Sequence, residues 1–85
     1  MEWYDVLLSH SWTGSGEKSW YFVYTVRAAT PSAAVTQARA KARVWFKKNN
    51  RELLWSTFHG VGPCGDYGKF VGKYVGQFIA EAVCR

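Results

Sequence analysis

Gly60-Val-Gly62-Pro-Cys-Gly65 has the GxGxxG spacing with which glycine loops bring backbone N–H groups up to a phosphate. It falls between a predicted strand and a predicted helix, which is the required local context. A dinucleotide site also needs a following parallel strand and an acidic residue about 20 positions on to hold the ribose. The sequence runs only to Arg85, so the full fingerprint does not fit. A single-phosphate site on this loop would place the anion against Asp66, which repels it. An ordinary turn capped by Asp66 is therefore the expectation.

Two further groupings have the right residue types without the right spacing. His59, Cys64 and Asp66 supply a thiol nucleophile, a base and an orienter. His10, His59, Cys64 and Cys84 supply zinc-ligand types, but there is no Cys-x-x-Cys pair. After Glu52 the only carboxylate side chains are Asp66 and Glu81, which leaves little for paired-carboxylate chemistry. The sequence thus points away from an enzyme, and no metal or cofactor is expected.

Charge carries the strongest signal. From Lys18 to Arg51 there are eight basic residues and no acidic one, within a chain of net charge +5. Arg39, Arg43 and Lys47 follow at i, i+4 and i+8 and form one cationic ridge on a helix, while Lys41 and Lys48 form a second and Arg51 lies just beyond. Without local acids these groups repel one another and gain from a polyanion that neutralises them. Nucleic acid, a nucleoprotein or an acidic protein surface are the partners that fit. The bland alternative is a solvated helix face whose long stems shield the apolar stripe.

The elements that must hold these residues follow from periodicity. Eighty-five residues make one domain, spanning 1–85, and five each of Trp, Tyr and Phe supply its core. Residues 3–12 alternate, with Tyr4, Val6, Leu8 and His10 on one side. A Gly-Ser-Gly connector leads to residues 19–28, which alternate again with Trp20, Phe22, Tyr24, Val26 and Ala28 on the core face. The pair predicts a β-hairpin. Thr30-Pro31 is a helix start, Ala34, Val35, Ala38, Ala42, Trp45 and Phe46 form its apolar stripe, and Asn49-Asn50 is its stop. Residues 51–59 read as a third strand, and 60–66 as a loop.

From Gly68 the chain repeats every four residues, with Gly68, Gly72, Gly76 and Ala80 in phase. A glycine-striped helix over 67–84 is favoured over a long strand because the run is long and ends Ala-Glu-Ala-Val. Such a helix would hold Cys64 and Cys84 roughly 20 Å apart, so a disulfide between them would count against it. The expected fold class is α+β: a β-hairpin, a basic amphipathic helix, a third antiparallel strand and a C-terminal helix (ββαβα).

If both helices cover one face of the sheet, Trp3, Leu7, Tyr21 and Val23, joined by Trp55, make an open apolar surface on the other. Trp3, Tyr21 and Trp55 would then stack on bases or anchor a protein partner. If the helices cover opposite faces, these residues are core. The start Met1-Glu-Trp-Tyr-Asp has acids where an export signal needs basic residues, and no apolar run approaches about 18 residues. With only two cysteines, a cytoplasmic protein that does not span a membrane is expected, as a monomer or as a homodimer packed on the glycine stripe.

The stretch Val26-Arg-Ala-Ala-Thr-Pro-Ser-Ala-Ala-Val-Thr-Gln-Ala38 resembles the strand–turn–helix segment of many small phage and plasmid proteins. The compact, aromatic-rich composition is similar in style to virus-encoded inhibitors of host defence, including anti-CRISPR proteins. That similarity implies a block of a host protein through an acidic surface, beside the first reading of a nucleic-acid or nucleoprotein binder.

Overall fold

The computed structural model describes residues 1–16 and 19–65, together with the backbone of 78–81. Strand β1 (Glu2–Trp12) and strand β2 (Trp20–Ala28) form the predicted hairpin, paired antiparallel from Glu2 opposite Ala28 to His10 opposite Trp20. The connector turns on Gly14 and Gly16, at φ 94° and 80°, a region that side-chain-bearing residues avoid.

Helix α1 (Pro31–Lys48) begins and ends where the sequence places it. The Thr30 hydroxyl accepts a hydrogen bond from the Ala33 N–H at 3.1 Å, and Pro31 occupies the first turn. At the other end the Asn49 amide donates to the Trp45 carbonyl, and Asn50 takes φ 54°. Asparagine tolerates that left-handed conformation, which is why it ends the helix.

Ala34, Ala38, Ala42 and Phe46 are buried along one stripe of α1. Three small residues let the helix backbone lie close to the sheet, and Phe46 fills the wider end. The core joins this stripe to Val6, Leu8 and Trp12 of β1 and to Phe22, Tyr24, Val26 and Ala28 of β2. Period-two alternation thus places the inward residues as predicted.

Strand β3 (Leu53–Pro63) pairs antiparallel with β1 on the side away from β2. It runs further than expected, because Gly60, Val61, Gly62 and Pro63 face Leu7, Val6, Asp5 and Tyr4 of β1 across the ladder. Glycine content reads as loop, yet here the partner strand supplies the backbone hydrogen bonds that decide the conformation. Register shifts between Leu7 and Leu8 and between Ser11 and Trp12 place extra residues on β3.

A fourth strand, β4 (Phe78–Glu81), lies parallel to β2 on its free side, giving the order β3-β1-β2-β4. This corrects the expectation of a helix at 78–81: the backbone there joins the sheet, with Phe78 opposite Tyr21 and Glu81 opposite Tyr24. Cys64 is disulfide-bonded. The rest of that helix, its glycine stripe and Asp66 lie outside the described residues. The coarse class, a small α+β domain built on an antiparallel sheet and one helix, stands. No helix among the described residues is long and apolar enough to cross a membrane.

Candidate functional site

The cationic residues of α1 separate into groups once the helix is set on the sheet. Arg43, Lys47 and Lys48 are exposed on the outer side. Lys41 is also exposed but is tethered, its ammonium donating to the Thr25 carbonyl of β2 at 3.3 Å. Arg39 is only partly exposed, and its charge acts on the buried ring of His10. It borders the buried stripe because it follows Ala38 directly, which places it at the helix flank. Arg51 holds its guanidinium over the rings of Trp12 and Trp45, 5.4 and 5.7 Å from their centroids. Its position closes the turn from α1 to β3 through a backbone bond to Phe46.

None of these cations is paired with a carboxylate among the described residues. Glu52, the first acid after the helix, instead accepts a hydrogen bond from the Thr13 hydroxyl at 3.1 Å. Helix α1 therefore exposes Arg43, Lys47 and Lys48 without carboxylate partners among the described residues, with Lys41, seven positions before Lys48, tethered to β2.

Beside these cations runs an open groove of about 370 Å³, lined by Ala40, Lys41, Val44, Trp45 and Lys48. Val44 is 66% exposed, an apolar side chain in the middle of a polar helix face. The ring of Trp45 is held by edge contacts with Phe22 and Phe46, at centroid distances of 5.3 and 4.9 Å. Sequence periodicity assigns Trp45 to the core and passes over Val44. The signal for the groove was Val44 itself, since it falls outside the buried stripe.

The sheet face away from α1 is only in part the open aromatic surface that one arrangement of the helices implied. Leu7 and Val23 are each 1% exposed and belong to the core. Trp3 and Tyr21 are half-buried, and of the three aromatic candidates Trp55 is the exposed one. Trp55 sits on β3 opposite Ser11, with Leu54 and Phe58 also exposed on the same strand.

The groupings that suggested catalysis come apart. Cys64 is in a disulfide, which removes the free thiol, and the only other cysteine, Cys84, lies outside the described residues. Gly60 and Gly62 are in the β3 ladder, so they do not form a loop that cradles phosphate. His10 is fully buried: Nδ1 bonds Ser56 Oγ at 2.7 Å and Nε2 bonds Tyr24 Oη at 2.9 Å. Burial and the charge of Arg39 push its pKa down to about 4. His59 bonds Ser9 Oγ at 2.7 Å, a hydroxyl–imidazole pair that sequence spacing did not reveal because the partners are 50 residues apart. Ser9 is buried, and Asp5 of the same strand is engaged elsewhere, accepting from Thr25 Oγ1 and the Gly65 N–H at 2.8 and 2.7 Å. No group of three metal-ligating side chains forms among the described residues.

No protein-family model, curated protein or solved structure matches this chain. Its functional reading rests on the site alone.

Proposed function

We propose that this protein is a non-catalytic binding domain that docks nucleic acid, or a nucleoprotein, on the outer side of α1. The observation that carries the reading is the exposed set Arg43, Lys47 and Lys48, which no carboxylate neutralises among the described residues. Phosphates neutralise such a set and release their own counterions, which makes binding strong at low salt. Lys41 and Arg51 extend the contact from fixed positions, whereas Arg39 supports the helix flank and reaches a ligand only in part.

Fluorescence anisotropy of labelled oligonucleotides between about 50 and 200 mM salt tests this. Three phosphate contacts predict a log–log slope of about −2.7 on duplex and about −2 on a single strand. Arg43→Glu/Lys47→Glu is expected to abolish binding with the fold intact. Salt-independent binding, or full binding by the double variant, contradicts the proposal.

The exposed Leu54, Trp55 and Phe58 of β3 favour a second reading, an inhibitor of phage or mobile-element type that blocks a host protein. An uncharged edge strand with exposed aromatic side chains is suited to protein docking. That reading requires a complex that survives high salt and is lost in Trp55→Ala.

A further inference from the structure

The groove on α1 has a composition that a phosphate-binding surface does not need. Its lining combines Ala40, Val44 and Trp45 with Lys41 and Lys48. The lysines are seven positions apart, so they stand roughly 10 Å apart along the helix axis. An apolar slot between two cations matches a ligand that alternates a flat apolar ring with negative charge.

We propose that this groove receives one unstacked base of a single-stranded nucleic acid, with Lys41 and Lys48 holding the phosphates on either side. The proposal rests on the nucleic-acid reading above and names the strand form and the subsite. Charge complementarity selects the occupant: α1 has no acidic residue, and two lysines line the groove. Lys41 is already positioned by the Thr25 carbonyl, and an ammonium with three donors keeps two for a phosphate. Trp45 is positioned too, by Phe22, Phe46 and Arg51, so little ordering is left to occur on binding. A volume of about 370 Å³ lies within the range of small-ligand sites and accommodates a single base. A base stacked and paired in a duplex cannot enter, so duplex binds only through the phosphate contacts.

The test compares an oligothymidylate with an abasic oligomer of equal length and charge, each by anisotropy at low salt. The expected result is binding roughly tenfold tighter for the base-bearing strand, the scale of one stacked base. Val44→Gln fills the groove with a longer neutral side chain at an exposed position, so it leaves the fold and the phosphate contacts in place. It is expected to abolish the tenfold preference while binding of the abasic oligomer is retained. Equal affinity of wild type for both oligomers overturns the base subsite and leaves the phosphate reading standing. Loss of both affinities defeats the two together. A preference that persists in Val44→Gln, or displacement of the strand by polyglutamate at matched charge, also overturns it, the latter by assigning the groove to an acidic peptide.

Discussion

His10 shows how a single side chain ties stability to pH. Its imidazole lies among Phe22, Tyr24 and Phe46, with ring centroids 4.8, 5.9 and 5.3 Å away, and both nitrogens are hydrogen-bonded. Burial first, and the Arg39 charge second, lower its pKa from 6.5 to about 4. Above pH 6.5 the ring is neutral in both folded and unfolded chains and adds no pH dependence. Between pH 6.5 and about 4 the unfolded chain takes up a proton that the folded one refuses, so stability falls as pH falls. The slope approaches roughly 1.4 kcal/mol per pH unit in that window. Urea melts from pH 7 to pH 4.5 measure it, and His10→Gln, which keeps a polar side chain but does not titrate, is expected to flatten the curve. An unchanged slope in that variant would assign the acid sensitivity to other groups.

At the level of elements, the alanine stripe of α1 sets how near the helix lies to the sheet. Ala38 is completely buried, so Ala38→Leu forces extra volume between two backbones and is expected to cost about 1–3 kcal/mol in a denaturant melt. Val44→Leu, six residues further on at an exposed position, is expected to change stability by less than about 0.5 kcal/mol. The same contrast explains what could be read in the sequence. Alternation at Val6, Leu8 and Phe22, Tyr24, and the cap at Thr30-Pro31, are local signals, and the elements they predict form as read. Three other features depend on partners distant in sequence. Gly60–Pro63 is a strand because β1 pairs with it, Phe78–Glu81 is a strand because β2 does, and Arg51 is fixed by Trp12, which ends β1. Arg39 fell between these cases, since the helical period places it in a cationic ridge while its position beside Ala38 turns it toward His10.

Over the whole molecule, unbalanced positive charge opposes the fold. The net charge is +5, and the stretch from Lys18 to Arg51 has no acid. Folding leaves Arg43, Lys47 and Lys48 exposed on α1 without carboxylate partners among the described residues. Mutual repulsion then lowers stability at low ionic strength, and salt relieves it as the screening length contracts to about 10 Å at 0.1 M. Thermal stability of the free protein is therefore expected to rise between about 10 and 300 mM sodium chloride, while affinity for a polyanion falls over the same range. Arg43→Glu supplies an acid one turn from both Arg39 and Lys47, converting two repulsions into i, i+4 attractions worth roughly 0.2–0.5 kcal/mol each. That variant should be more stable than wild type at low salt, less responsive to added salt, and weaker in binding. Opposite movement of stability and binding in one variant separates a cationic face kept for a partner from one that merely keeps the domain in solution. A variant that gains stability with no loss of polyanion affinity would assign Arg43 to the second role.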